Sequence, residues 1–434
     1  MGQIQNAEAL TTGELRRDAL GIAEAGFEAV NTKKAIKSKV QVRNGELHIG
    51  DKTFNIAGRR VYFVGVGKCA IAAAGAIEKL FGDKLAGGIA LDVSASDKDD
   101  IMNIETYIGT HPLPSEVNER ATERIIEFLS GRTEDDLVIM CISGGGSTLL
   151  CLHETPMTCS DEGELFKELT ARGAPIQDMN TVRKHISRAR GGGLAEASYP
   201  AEVVSLIVSD VPGNDLSSIA SGPTVLDSST VADAQAVLAR YGMGSANIAF
   251  IETPKDEKYF KRVSNILFIT NQDALTAMNA KASRLGYSVT VVNDCFTGEA
   301  RDLGRAIVEK LHASTAKTAL LYAGESTVTI AGGLVPTKPT GEGGRNQELA
   351  LATLEYLNSD ELIMPFSSDG RDNTDHAGAI ADEQTRIHAR EKNISAEEYL
   401  DAHRSYDFFT TTGDALVTGY TGSNVSDLII ALKK

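Results

Sequence analysis

Leu137-Val-Ile-Met-Cys-Ile142 runs without interruption into Ser143-Gly-Gly-Gly-Ser-Thr148, and the chain turns apolar again at Leu149. Six apolar residues closed off by turn residues have the length of a strand, and their lack of polar alternation reads as burial. The loop this strand delivers is glycine-rich. Three glycines let backbone N–H groups approach a ligand with no Cβ in the way, and two hydroxyls flank them, which suits a phosphate or a carboxylate. A lone Gly-Gly-Gly also serves as an ordinary strand-to-helix turn, so the weight of this stretch depends on its surroundings.

Upstream, Arg60–Val66 is a second apolar strand, and Gly67-Lys-Cys-Ala70 leads from it into an alanine-rich helix, Ile71–Phe81. Strands at Gly88–Val93 and Glu105–Ile108 follow, then a helix Val117–Leu129 with Ser115 at its N-cap position. This alternation predicts a mainly parallel α/β sheet. Before it, one long amphipathic helix is expected from Glu14 to about Lys37, then a hairpin over Val40–Ile49 turning at Asn44-Gly45. Downstream come helices at Glu162–Ala171 and at Asp178–Ala197, the latter broken by Gly191-Gly192-Gly193, and a strand Val203–Val208 ending in Ser209-Asp210. The loop from Val211 to Thr224 is long enough to be functional. A helix at Val231–Tyr241 closes the first expected domain, and the patternless stretch 242–264 marks its boundary. Strand–helix alternation restarts at Ile266 and predicts a second α/β sheet ending with a strand at Leu428–Leu432. At 434 residues the chain exceeds the roughly 250–300 that one core serves. Domains at 1–245 and 265–434 follow, with a cleft between them.

Composition narrows the function. With 59 acidic against 43 basic residues the net charge is −16, which argues against a nucleic-acid footprint. An anionic substrate must then be held by a few local cations. No apolar run approaches the ~18 residues of a membrane span, and the N-terminus lacks a signal-peptide apolar core, so a cytoplasmic protein without membrane partners is expected. Cys69, Cys141, Cys151, Cys159 and Cys295 form no CxxC pair and are odd in number; reduced, packed thiols are expected, with no disulfide and no zinc site.

Polar glycine loops follow the strands that end at Val66, Ile142, Val208 and Phe366, with another at Gly341–Arg345. Ligands of open α/β sheets bind at the carboxyl ends of strands. Lys68 lies in the first of these loops, and Arg345 opens a helix, where backbone donors and the dipole also favour anions. Carboxylates gather at Asp369, Asp372 and Asp375 and at Asp210 and Asp215; such hard oxygen donors suit Mg²⁺, although capping and Asx turns would use the same residues. Arg371 at the third position breaks an EF-hand pattern. Lys68 is followed by Cys69, so there is no Walker A motif, and the protein-kinase signatures are also missing. Gly65-Val-Gly67-Lys-Cys-Ala70 matches a loose dinucleotide G-x-G-x-x-A, with Asp92 ending the next strand, which keeps a nicotinamide dehydrogenase open.

With these loops in view, the chain resembles the glycerate 2-kinase family, whose carboxy-terminal half is known as the MOFRL domain. The resemblance rests on Gly65-Val-Gly-Lys68, Ser143-Gly-Gly-Gly-Ser147, Lys184-His-Ile-Ser187, Ser209-Asp-Val-Pro-Gly213, Ile219-Ala-Ser-Gly-Pro-Thr224, Gly343-Gly-Arg-Asn-Gln-Glu-Leu349, Asp369-Gly370, Asp414 and Thr418-Gly419, in that order along the chain. It implies a Rossmann-like first domain, ATP-dependent phosphorylation of D-glycerate at O2, a divalent cation such as Mg²⁺, and an active site in the interdomain cleft. Residues matching Lys68 and Arg345 count in the family as substrate-binding or catalytic. Two departures stand out. Arg190-Gly-Gly-Gly193 replaces the more usual Lys-Gly-Gly-Arg, and the insertion Gly332–Thr340 lengthens the approach to Gly341.

The resulting expectation is a two-domain α/β glycerate 2-kinase. Lys68 and Arg345 would neutralise glycerate carboxylate and phosphoryl charge. Ser143, Gly144, Gly145, Gly146 and Ser147 would hold phosphate oxygens, and Lys184 and Asn346 would bind substrate or phosphate. Asp210 or Asp369 would bind Mg²⁺ or accept the acceptor hydroxyl proton, and the residues do not choose between these roles. Phosphoryl transfer asks mostly for positioning and electrostatics, which fits many anion loops and no obvious nucleophile. An NAD(P)-dependent hydroxypyruvate reductase, a name some relatives carry, and a non-catalytic small-acid-binding protein are the alternatives. The oligomeric state stays open, with a homodimer among the options.

Overall fold

The glycine loop's strand is central to a six-stranded parallel sheet. The computed structural model describes residues 2–95, 101–244, 248–329 and 341–434; the insertion Gly332–Thr340 lies outside these residues. Thr32–Ile269 forms one compact unit, and Met1–Asn31 with Thr270–Lys434 forms the other.

In the first of these units the expected hairpin appears as β1 (Val40–Arg43) and β2 (Glu46–Ile49), extended to a three-stranded antiparallel sheet by β3 (Lys52–Asn55). Asn44 and Gly45 both take positive φ, 53° and 77°, as a two-residue hairpin turn requires. The parallel sheet is built from β4 (Arg60–Val66), β5 (Leu85–Asp92), β6 (Ile104–Ile108), β7 (Asp136–Ile142), β8 (Glu202–Val208) and β9 (Val263–Ile269), ordered β6-β5-β4-β7-β8-β9. That is the 3-2-1-4-5-6 order of doubly wound dinucleotide folds. All seven residues of β7 are buried, which explains its unbroken apolar run: helices cover both faces of a parallel sheet. The winding reverses between β4 and β7, whose loops carry Lys68 and Ser143–Ser147.

Two boundaries differ from expectation. The helix predicted over 14–37 is two helices, Glu14–Ala29 and Thr32–Lys39, and the break between them is where the chain passes from one unit to the other. The strand expected to open the second domain is β9, which pairs in register with β8. The division at 1–245 and 265–434 is therefore corrected: a strand's allegiance is set by its hydrogen-bonding partner, and local apolar pattern does not report it.

The discontinuous unit holds a seven-stranded mixed sheet of β10 (Ser288–Phe296), β11 (Thr318–Gly324), β12 (Glu361–Ser367), β13 (Gly378–Ala379), β14 (Ala381–Asp382), β15 (Ala415–Leu416) and β16 (Asp427–Lys433). β16 runs antiparallel between β11 and β12, with Ile430 opposite Leu321 on one side and Met364 on the other. The helix Glu14–Ala29 belongs here. Phe27 stacks 4.9 Å from Phe366, and the buried Arg16 bonds Asp382 at 2.6 Å and Asp414 at 2.7 Å. Asp414, a residue of the resemblance, thus has a structural partner.

Candidate active site

Two glycine loops meet at the reversal of the parallel sheet. Ser143 N donates to Val66 O at 2.9 Å, Lys68 N donates to Gly144 O at 3.0 Å, and Cys69 N donates to Ser143 Oγ at 3.1 Å. Gly67, at φ 112°, leaves no room for a side chain, because a Cβ there would lie 2.3 Å from Ser143 Oγ. Ser143 is fully buried and its hydroxyl accepts from Cys69, so it braces the two loops. Gly144 and Gly146 are buried as well, while Gly145, Ser147 and Lys68 are the half-buried members. Gly145 has φ 83°, and the position of its missing Cβ is 3.4 Å from Lys68 Cγ and 3.5 Å from His111 Cδ2. Lysine, imidazole and bare backbone therefore converge at one point.

A third segment closes on this pair. Ser221 Oγ donates to Asn180 Oδ1 at 3.2 Å and is hydrogen-bonded to the Ser147 hydroxyl at 2.9 Å, and Ala220 and Ser221 hold positive φ of 51° and 59°. Non-glycine residues in this region are strained and persist where surrounding structure over-determines them. His111, Asn180 and Ser221 were not singled out from the sequence; only Ser221 lay within a quoted motif. Gly191 N donates to Ser221 O at 2.9 Å, which brings the Gly191–Gly193 bend onto the same turn. Lys184 is buried and donates to Asp227 at 3.1 Å. Burial alone would push Asp227 up, but Lys184 and Ser229 hold it below the usual carboxylate range. Arg190 is also accounted for: its NH2 donates to both oxygens of buried Glu162 at 2.8 and 3.1 Å.

Asp210 follows β8 and is half-buried; its charge and that of Asp92 add to burial in pushing the Cys69 thiol up to about 12. Asp215 makes a local turn, accepting from Ser217 N and from the Ser217 and Ser218 hydroxyls. Asp92 bears on the dehydrogenase alternative. Its Oδ2 accepts from Ile71 N at 2.9 Å, so a carboxylate sits on the amide at the start of the Ala70–Phe81 helix. A dinucleotide pyrophosphate would need that helix end. Burial raises the Asp92 pKa to about 6.

In the other unit Arg345 opens the Arg345–Thr353 helix, as expected, but its fork faces carboxylates. Nε and NH2 donate to the two oxygens of Asp427, and NH2 lies 2.9 Å from Glu325. Burial opposes the Arg345 charge, and these two carboxylates more than offset it, raising its pKa. The helix's first amides are also taken: Asn346 N and Gln347 N donate to Asp372 at 3.1 and 2.8 Å, and Asn346 Nδ2 reaches the same carboxylate at 3.2 Å. Burial, then the charge of Asp427, lifts Asp372 to about 6. Asp369 Oδ1 accepts from Ser367 Oγ at 2.9 Å and Arg371 N at 2.8 Å, and Asp375 is exposed. The three aspartates of this loop therefore do separate jobs.

Among the described residues, the group of three donors close enough to share an ion contains no carboxylate. A cage of protein carboxylates for Mg²⁺ is absent from these residues. The ion's usual arrangement, one or two carboxylates plus substrate phosphates, fits Asp210, which is half-buried at a strand's carboxyl end.

Comparison with known proteins matches both halves of the chain. A family described as a domain of unknown function, DUF4147, covers residues 18–251, and the MOFRL family covers residues 318–427. A protein of Agrobacterium vitis named as a hydroxypyruvate reductase is 38% identical over 385 residues, 85% of this chain and 86% of its own. The glycerate 2-kinase of Pyrococcus horikoshii is 33% identical over 441 residues, 96% of this chain and 97% of its own. The crystal structure of a glycerate kinase from Thermotoga maritima superposes with a TM-score of 0.81 at 31% identity, covering 97% of this chain and 99% of that one. The loops that meet at the sheet reversal and those around Arg345 thus lie in the two regions these families match, and the chain belongs to the glycerate 2-kinase family.

Proposed function

We propose that this protein transfers the γ-phosphoryl group of ATP to O2 of D-glycerate, giving 2-phosphoglycerate, with Mg²⁺ as the accompanying ion. The observation that carries the reading is the pairing of two glycine loops at the sheet reversal, with Lys68 and Gly145 side by side. Ligands of doubly wound sheets bind there, and phosphoryl transfer needs a preorganised cation and backbone donors rather than a protein nucleophile.

Within this reading the bare backbone at Gly145 and the Ser147 hydroxyl face phosphate oxygens, and Ser143 keeps the loop in shape. Lys68 meets the charge of the transferring group or of the glycerate carboxylate. Lys184, held by Asp227, adds positive potential near the same segment. Asp210 is the carboxylate we assign to Mg²⁺, an ion that when bound supplies charge neutralisation to the phosphates. Arg345, Asn346 and Asp369 are retained as substrate-facing or catalytic residues, with Arg345 re-aimed from Asp427 and Glu325 when an anion competes for its fork. A cytoplasmic location accompanies a reaction on two soluble metabolites.

The test is an assay of the pure protein with ATP, Mg²⁺ and D-glycerate, followed by phosphorus NMR. A 2-phosphoglycerate resonance is expected, together with no turnover of NADH and hydroxypyruvate. Robust metal-independent NADH oxidation, or phosphate appearing at O3, would overturn the assignment.

A further inference from the structure

Past the glycine loop the chain runs through Cys151 and His153, turns, and starts the Cys159–Ala171 helix at Cys159. Thr158 and Asp161 close a capping box at that helix, which holds Cys159 against the incoming segment. The result corrects the expectation of free thiols: Cys151 and Cys159 are joined as a disulfide, their Cα atoms 6.2 Å apart. A seven-residue gap between cysteines carries no recognisable signature, so pairing here depended on a cap and a turn that residue spacing does not reveal.

His153 completes a group. Its Nδ1 lies 3.8 Å from Cys151 Sγ, and the two sulfurs and one ring nitrogen all fall within 4.8 Å of one another. All three residues are buried. The opposite ring nitrogen, Nε2, is 2.7 Å from Glu162 Oε2, and Arg190 NH2 donates to both Glu162 oxygens. A carboxylate gripped by a guanidinium accepts hydrogen bonds, so Nε2 carries the proton and Nδ1 turns its lone pair toward the sulfurs. Phosphoryl transfer uses none of these groups.

We propose that the reduced form of this cluster is a Zn²⁺ site in which Cys151 Sγ, Cys159 Sγ and His153 Nδ1 are the protein ligands and Glu162 orients the imidazole. Thiolate and imidazole donors select Zn²⁺ over the hard cations, and a ligating histidine commonly donates its other N–H to a carboxylate, as His153 does here. The 3.8 Å sulfur–nitrogen separation is close to the roughly 3.5 Å between ligands of a tetrahedral zinc with Zn–S about 2.3 Å and Zn–N about 2.0 Å. The two sulfurs must part to roughly 3.8 Å, and Cys151 lies outside any helix or strand. One coordination position remains for an exogenous ligand.

The redox step balances with a dithiol reductant. The S–S bond breaks, two electrons and two protons pass to the protein sulfurs, and the reductant closes to its own disulfide. Zinc binding then releases the two thiol protons to solvent. A disulfide oxidant reverses the sequence and expels the ion, so disulfide and zinc are alternative states of one cluster.

The test uses the full chain carrying Cys295→Ser, which removes the exposed thiol. The protein is reduced with a phosphine, desalted and titrated with Zn²⁺ against a chromophoric chelator, with bound metal counted by native mass spectrometry. One zinc per reduced chain is expected, none in the oxidised chain, and a thiolate-to-metal charge-transfer band when Co²⁺ replaces Zn²⁺. His153→Ala should weaken the reduced form's affinity by at least about tenfold. Zinc should also slow alkylation of Cys151 and Cys159 in peptide maps, a readout that needs no substitution at the cluster. Equal zinc uptake by reduced, oxidised and Cys151→Ser/Cys159→Ser chains, or alkylation rates indifferent to zinc, would overturn the site. An unchanged affinity in His153→Ala would remove His153 from it.

Discussion

At Gly145 the backbone stands at φ 83°, so any side chain there meets a conformational cost before it meets a ligand. Gly145→Ala is expected to lose about 1–2 kcal/mol of stability, measured by denaturant unfolding. Gly145→Asn should lose less, because asparagine tolerates the left-handed region. Both should raise the KM for ATP, since each places a Cβ beside Lys68 where phosphate would approach. Full activity in a folded Gly145→Asn protein would reduce the loop to a packing turn. Lys68→Ala should cut kcat by about 10²–10³ with little effect on stability. A rise confined to the KM for glycerate would instead make Lys68 an anchor. Arg345 differs, because its fork holds the buried Asp427. Arg345→Lys should therefore lose stability, by about 1.5–3 kcal/mol, as well as activity, because a point charge cannot copy two parallel hydrogen bonds. The glycine loop and Lys68 were legible in the sequence because glycines and a cation within a few residues of a strand end are local facts. The partners of Arg345 were not: Asp427 is far along the chain, and nothing near Arg345 names it.

The Arg345–Thr353 helix shows the same contrast at the scale of an element. Its N-terminus was predicted to welcome an anion, and it does, but the anion is Asp372 of the protein itself. Asp372 titrates at about 6 in the folded chain, above its ordinary range, so the folded state holds the proton more tightly than the unfolded one. The stability this group contributes is full below about pH 4 and is lost as pH rises through about 6, a change on the order of 3 kcal/mol. Asp372→Asn should flatten the fall in melting temperature across that window, compared with the unsubstituted protein. An identical pH profile in the variant would assign the slope to other groups. Strand–helix alternation located nearly every element of the parallel sheet, because buried strands and amphipathic helices write their periods directly into sequence. The break at Val30–Asn31, the sheet to which β9 belongs and the Cys151–Cys159 bond were missed for one shared reason: each is decided by a distant or non-periodic partner.

Across the whole molecule, the unit that contains β16 also needs the helix Glu14–Ala29. Arg16→Ala would leave Asp382 buried without its cation and Asp414 with only the His388 imidazole 3.1 Å away, and a loss of about 3–5 kcal/mol is expected, read from urea midpoints. Residues 270–434 produced alone should fail to unfold cooperatively until a peptide of residues 2–31 is added, whereas residues 32–269 should unfold cooperatively by themselves. Cooperative melting of 270–434 alone would show that the helix is an accessory.

This threading also sets an order in time. A ribosome makes the helix at Glu14–Ala29, then the entire inserted unit, and only afterwards the strand at Asp427–Lys433 that its sheet requires. At usual elongation rates the wait is roughly 20–80 s. Until residues 271–284 supply the helix it packs against, and Phe366 the ring beside Phe27, a nascent amphipathic helix carries Leu20, Ile22 and Phe27 uncovered, and its sheet closes only with the last strand. Nascent-chain chaperones should therefore find their binding site in the helix Glu14–Ala29 rather than in the most apolar strands.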